Sequence, residues 1–232
     1  MKLTKSKLVF ALLLASTLFT CGCNWSASRQ NAAGRQSFLN GQFSQAINQF
    51  QQALNREPNN PDALYNMGVT YFTLGKQSQN SQFIGQGEQF LRQAIAQNDQ
   101  HVDAHRSLAA LLVESGRQNS ALDLLNTWRQ RHPESGEPLV EIARLYQEFG
   151  DQTQATNLLA NALQIDGSNV RALKAMGHVR ELQGQYNLAL DNYLRSYQLD
   201  SRQFDVATKI SEMQTRIAQA NTTDASSGLL NR

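Results

Sequence analysis

Residues 38–58 read FLNGQFSQAINQFQQALNREP, and the order of small and large residues in this stretch recurs along the chain. Glycines recur at spacings of 34, 41, 34 and 34 residues; they are Gly41, Gly75, Gly116, Gly150 and Gly184. Five residues after four of them stands an alanine, at Ala46, Ala121, Ala155 and Ala189. Four residues further on stands a bulky residue, at Phe50, Leu125, Leu159 and Tyr193. The chain therefore contains a unit repeated five times, with seven extra residues in the second copy.

Each unit is predicted to be two helices joined by a tight turn. Before the turn glycine, apolar residues follow the i, i+3, i+4, i+7 spacing of one helix face, as in Leu139, Ile142, Ala143 and Tyr146. A small residue also precedes each glycine by seven positions, at Gly34, Gly68, Ala109, Ala143 and Gly177. Small residues let two helix backbones approach closely. Because one helix pair cannot bury its remaining apolar face alone, neighbouring pairs must stack, and an all-α solenoid is predicted.

This pattern strongly resembles the tetratricopeptide repeat. That repeat has small residues at its eighth and twentieth places, bulky residues at the eleventh and twenty-fourth, alanine at the twenty-seventh and proline near the thirty-second. Departures include Trp128 and Ser196 at the alanine place and Arg180 where a tyrosine is expected, which we expect to loosen the packing of the fifth unit. The resemblance places the units at 27–60, 61–101, 102–135, 136–169 and 170–203.

Two further segments have their own predictions. Residues 204–220 carry an apolar stripe of Val206, Ile210, Met213 and Ile217, which predicts a capping helix. The tail 221–232 has no periodicity and is predicted to be disordered. The seven extra residues lie between Gly75 and Glu88, and seven residues keep an apolar face nearly in phase. A lengthened second helix is therefore predicted in the second unit, rather than a flexible loop.

The resemblance implies a binding site on the first helix of each unit, because these helices line a concave groove in the family. The lining is apolar at one end and charged at the other, which suits an extended peptide or a helix of a partner protein. No cofactor, metal or small-molecule substrate is expected. The clamp with which some family members hold a C-terminal carboxylate is not assembled around Asn66. The predicted groove residues are Tyr65, Asn66, Val69, Phe72, Arg106, Val113, Arg144, Lys174 and His178.

The N-terminal residues are predicted to be a signal peptide over 1–22, with three lysines before an apolar run. The sequence LFTCGC resembles the lipobox of bacterial lipoproteins, and Cys23, preceded by Gly22, fits lipidation better than Cys21. We expect a lipid-anchored protein at a bacterial envelope membrane, facing the periplasm, and the resemblance implies a role in pilus or outer-membrane assembly. A soluble periplasmic or secreted binding module without a lipid is the alternative.

Charge and motifs argue against two other classes of function. Removal of the three signal lysines from the 21 basic residues leaves 18 bases against 19 acids, so the chain lacks the basic surface that nucleic-acid binding requires. No P-loop, GxSxG or HExxH motif is present, and an enzyme is not expected. His101 and His105 stand at a helical spacing that a metal site could use, but packing of His105 between helices is the favoured interpretation.

Overall fold

A computed structural model describes residues 27–230, with side chains as far as residue 220, and the described part contains helices and turns but no strand. The predicted all-α fold of helix-turn-helix repeats is confirmed. The predicted signal segment, both cysteines and residues 231–232 lie outside the described residues. The helices are α1 (27–39), α2 (Phe43–Arg56), α3 (Pro61–Ser78), α4 (Ser81–Gln97), α5 (Val102–Glu114), α6 (Gln118–Arg131), α7 (Glu137–Glu148), α8 (Gln152–Ile165), α9 (Val170–Leu182), α10 (Tyr186–Leu199) and α11 (Phe204–Leu230).

The chain divides after Ala121 into two compact units, here called unit 1 and unit 2. In unit 1, apolar residues of α2 pack against those of α3, α4 and α5. Helix α3 begins where Asn60 accepts a hydrogen bond from the Ala63 amide at 2.9 Å, and Pro61 occupies the first turn, where its missing N–H costs nothing. The buried core residues are Ala46, Phe50, Ala53, Leu54, Ala63, Leu64, Met67, Ala94 and Ala104.

The second helix pair is longer than the others because the seven extra residues are helical. Helix α3 has 18 residues and α4 has 17, whereas the other second helices have 14. The prediction placed the extra length in the second helix alone, and this is wrong: both helices are extended. Gly75 lies inside α3 and is not the turn residue, because Gln79 takes the left-handed conformation there, with φ of 51°.

Unit 2 has two buried clusters. One joins α7, α8 and α9, and the other joins α10 to α11 through Ala189, Tyr193, Val206 and Met213. Helix α9 is capped by Asn169, whose side chain accepts a hydrogen bond from the Ala172 amide at 2.8 Å. The members of the first cluster are Leu139, Val140, Ala143, Ala155, Leu159, Ala162, Ala172, Met176 and Val179.

The last helix extends beyond its expected end. Val206 and Met213 are fully buried and Ile210 packs against the α10–α11 cluster, as the apolar stripe indicates. Residues 221–230, which were expected to be disordered, continue α11 to Leu230. No proline interrupts this stretch, so nothing in the backbone ends the helix at residue 220. Among the described helices, none combines the length and the apolar character that crossing a membrane requires.

Candidate protein-binding surface

In unit 1, the first helices α1, α3 and α5 expose one face each, and these faces together are called the first-helix surface of unit 1. The helices are neighbours: the Asn66 side-chain amide on α3 donates to Asn31 Oδ1 on α1 at 2.9 Å, and Lys76 on α3 forms an ion pair with Glu114 of α5 at 2.5 Å. All six groove residues that the sequence predicts in this unit are partly exposed, neither fully buried nor fully solvated: Tyr65, Asn66, Val69, Phe72, Arg106 and Val113.

Tyr65 is held in place by packing and hydrogen bonding. Its ring lies 4.9 Å from the His101 ring, centroid to centroid. Burial raises the pKa of the Tyr65 phenol, although a hydrogen bond with Ser107 acts in the opposite direction. The phenol is therefore neutral at neutral pH, and Tyr65 presents a rigid, partly exposed ring edge to a partner rather than a charge.

The charges around this surface are paired within the protein. Lys76 bonds Glu114 and also lies 5.5 Å above the Phe72 ring. Arg106 Nη1 lies 3.5 Å from Asp103 Oδ1, one helix turn away. Internally paired charges leave the apolar side chains as the groups with unused binding capacity.

Unit 2 presents a different first-helix surface, formed by α7 and α9, which is charged. Glu141 of α7 is completely buried, and its two carboxylate oxygens bind Arg144 at 3.2 Å and Arg171 of α9 at 2.5 Å. Arg171 also reaches Glu137 at 3.2 Å, and Arg144 forms a second ion pair with Glu148. The predicted groove residue Arg144 is thus tied into a network that joins α7 to α9.

The other two predicted residues of unit 2 differ in their surroundings. Lys174 forms an ion pair with Asp205 of α11, which lowers the pKa of that carboxyl. His178 is exposed. Sequence reasoning brought Arg144, Lys174 and His178 together as groove residues, but in the structure two of the three serve contacts within the protein.

Glu181 joins three helices and was missed by the sequence analysis. Its carboxylate accepts hydrogen bonds from the Tyr193 hydroxyl of α10 at 2.9 Å and from Lys209 of α11 at 3.0 Å. Burial raises the pKa of Glu181, but these hydrogen bonds outweigh it, and the pKa falls below the ordinary value of 4.5. The lone signal in the sequence was a carboxylate placed three residues before the turn glycine Gly184.

His101 and His105 are directed at different partners. The Nδ1 atom of His101 accepts a hydrogen bond from the Ala104 amide at 3.2 Å and so caps α5, while its Nε2 atom lies 3.3 Å from Asp62. His105 is buried, and its Nε2 atom lies 2.9 Å from the Asp99 carbonyl oxygen. Across the described residues, no three histidine, cysteine or acidic side chains converge to hold a metal ion.

Comparison with known protein families gives a repeat family and a set of distant relatives. A family model described as TPR repeat matches residues 34–75. BBSome complex member BBS4 of Bos taurus is 26% identical over 167 residues, which cover 72% of this chain and 31% of that protein. Its homolog in Drosophila melanogaster is 26% identical over 166 residues, 69% of this chain and 34% of that protein. The chain spans about a third of the length of these curated relatives.

Two solved structures have the same fold. A thermophilic TPR protein of Thermus thermophilus superimposes with a TM-score of 0.61 at 17% identity, over 82% of this chain and all of that one. Pseudomonas aeruginosa pilF superimposes with a TM-score of 0.52 at 15% identity, over 86% of this chain and 93% of that one. At these identities the likeness is one of fold.

Proposed function

The chain belongs to the tetratricopeptide repeat family, and on this premise we propose that it is a scaffold that binds a protein or peptide on its first-helix surfaces. The observation that carries the proposal is the row of partly exposed apolar side chains at Val69, Phe72 and Val113, beside charges that are already paired. Rigid aromatic and aliphatic side chains of this kind act as anchors in protein interfaces. BBS4, the relative in Bos taurus, is named as a member of a complex, which agrees with a binding role.

Affinity capture followed by mass spectrometry tests this function. The full chain and a Tyr65→Ala, Phe72→Ala double variant are compared side by side, with Gln51→Ala on the exposed face of α2 as the control. We expect a partner that the wild type and the control retain and the double variant loses, while circular dichroism shows that all three remain helical. Equal recovery of every partner by the double variant would remove the first-helix surface of unit 1 as the binding site.

We further propose that the protein is anchored to a bacterial envelope membrane through a lipid on Cys23 and faces the periplasm. The support is the sequence alone: basic residues, an apolar run and a lipobox-like LFTCGC. One acyl chain gives marginal attachment, and stable anchoring needs more than one, as lipoproteins resembling this pattern have. A role in pilus or outer-membrane assembly belongs to the same proposal, and the fold likeness to pilF does not extend to function.

Growth with labelled palmitate tests the anchor. We expect label in the wild type, loss of label in Cys23→Ser, and retained label in Cys21→Ser. Label lost only in Cys21→Ser moves the lipid to that residue. An unlabelled wild type supports the alternative of a soluble periplasmic or secreted module and leaves the binding proposal intact.

A further inference from the structure

Three apolar side chains occupy the same place on the three first helices of unit 1. Phe38 stands on α1, Phe72 on α3 and Val113 on α5, and each is the twelfth residue of its repeat. All three are partly exposed. The Asn31–Asn66 hydrogen bond and the Lys76–Glu114 ion pair show that these helices are adjacent in this order. The row therefore runs across the helices and not along one of them.

The spacing of this row favours one backbone conformation in the partner. Packed helices lie about 8–10 Å apart, so successive side chains of the row are separated by roughly that distance. A helix presents residues i and i+7 on one face about 10.5 Å apart. A strand presents same-face residues about 6.7 or 13 Å apart, which fits the row poorly.

Charge adds a second requirement. Arg35 is exposed on α1, one turn before Phe38 on the same face, and it has no ion-pair partner among the described residues. Lys76 and Arg106, the other cations of this surface, are both paired with acids of the protein. An unpaired cation at one end of an otherwise neutralised apolar row complements an acidic side chain of the partner.

We propose that the first-helix surface of unit 1 takes an amphipathic helix of a partner protein, with apolar residues seven apart over Phe38, Phe72 and Val113 and an acidic residue beside Arg35. This inference rests on the proposed function and specifies the partner of the same site. The partner helix buries its apolar stripe on the row and keeps its polar face in water.

Synthetic labelled peptides of 21 residues test the inference by fluorescence anisotropy with the full chain. The first peptide has leucines at the a and d places of three heptads and a glutamate beside each terminal leucine, so that either direction of binding brings an acid to Arg35. The second replaces both glutamates by glutamine. The third has the composition of the first, with its leucines alternating at strand spacing.

We expect the first peptide to bind at least about tenfold more tightly than the third, and Phe72→Ala to abolish most of this difference. Arg35→Gln weakens binding of the glutamate peptide about two- to fivefold and leaves the glutamine peptide unchanged, because an exposed ion pair contributes modestly. Arg56→Gln, which removes the same charge from the second helix α2, changes neither.

Three results would overturn the inference: equal or tighter binding of the alternating peptide, an equal effect of Arg35→Gln on both heptad peptides, or no binding of any helical peptide. The capture experiment separates this failure from failure of the proposed function. A partner that is lost with the Tyr65→Ala, Phe72→Ala variant, in a protein that binds no helical peptide, leaves a binding surface whose occupant is not a helix.

Discussion

The α3–α4 pair of unit 1 and the α9–α10 pair of unit 2 use the same glycine place in different ways. In α9–α10, a Cβ added to Gly177 would lie 2.7 Å from Cε1 of Tyr193, whose ring fills the space between the helices. In α3–α4, a Cβ added to Gly87 would lie 2.9 Å from both the Gly68 carbonyl oxygen and the Phe72 amide nitrogen. One pair is spaced by a ring and the other by two backbones in contact.

The difference shows how a longer repeat stays ordered. A third glycine, Gly75, also faces backbone, since its Cβ would lie 2.8 Å from the Ile84 amide nitrogen. Glycine weakens a helix by about 1 kcal/mol relative to alanine, so three of them in one helix pair are costly by intrinsic propensity alone. Close contact between the backbones offsets this cost, and rings flank the contact, with Tyr71 stacked on Phe90 at 5.7 Å.

The substitution Gly68→Leu is expected to have the largest effect, because its side chain would enter the tightest part of the α3–α4 contact. The Cβ alone would lie 2.8 Å from Leu91 Cγ and 3.0 Å from the Leu91 amide nitrogen. We expect a loss of about 3 kcal/mol in the free energy of unfolding, at the upper end for overpacking. Urea denaturation measures it, and Gln51→Leu on the exposed face of α2 is the control. Equal losses in the two variants would contradict the assigned helix register.

Alanine at Gly87 and at Gly177 tests the comparison itself. The clash at Gly87 is with backbone, which moves only if the helices separate, whereas the clash at Gly177 is with a ring that can shift. Overpacking costs about 1–3 kcal/mol, and replacing a helical glycine recovers about 1 kcal/mol. We therefore expect a net loss of about 1–2 kcal/mol for Gly87→Ala and less than about 1 kcal/mol for Gly177→Ala, both measured by urea denaturation. A larger loss at Gly177 than at Gly87 would reverse the interpretation.

The repeat pattern predicted the general fold well because its small residues have one dominant physical role. Gly34, Gly68 and Gly177 each have a neighbour that leaves no room for a Cβ. Four turn glycines were also predicted correctly: Gly41, Gly116, Gly150 and Gly184 have φ between 72° and 85°.

Gly75 shows where a one-dimensional pattern fails. A glycine needed for close helix contact and a glycine needed for a left-handed turn have the same letter in the sequence, and only the structure shows which role Gly75 has. Arg180 failed for a related reason. It was expected to loosen the fifth repeat, but its guanidinium donates a hydrogen bond to Asn192 at 3.2 Å and so connects α9 to α10.

The candidate site was less predictable than the fold because exposure and charge pairing depend on neighbouring repeats. The spacing of Arg144 from Glu141 and Glu148 indicated ion pairs within α7, and the structure contains them. The contact from Arg171 to Glu137 crosses two repeats, at the second place of each. Opposite charges at the same place of successive repeats are the signal that would have found it.

Acid should weaken unit 2 through Glu181, because its pKa is lower in the folded protein than the ordinary 4.5. A lowered carboxyl pKa adds stability that is complete above the unfolded value and is lost as the pH falls through the folded value. We expect Glu181→Gln to cost about 0.5–1 kcal/mol near pH 7, and the difference from wild type to vanish as the pH falls well below 4.5. Unfolding at several pH values measures this difference. A constant difference at every pH would mean that packing, and not the charge, is responsible.

The smallest expected effect concerns the turns of the two helix pairs. Gln79 adopts the left-handed conformation at the end of α3, with φ of 51°, where the α9–α10 turn has Gly184 with φ of 72°. A residue with a Cβ is strained in this region by about 1 kcal/mol, whereas glycine is not, but glycine also gives the unfolded chain more freedom. We therefore expect Gln79→Gly to stabilise the protein by about 0.5 kcal/mol and Gly184→Gln to destabilise it by a similar or slightly larger amount.

Thermal unfolding of these two variants reports the backbone contribution directly. Both positions are exposed, and a Cβ added to Gly184 would meet no atom within 4 Å, so steric clashes do not obscure the difference. Destabilisation by Gln79→Gly would mean that the glutamine side chain contributes more to the longer helix pair than its backbone strain removes.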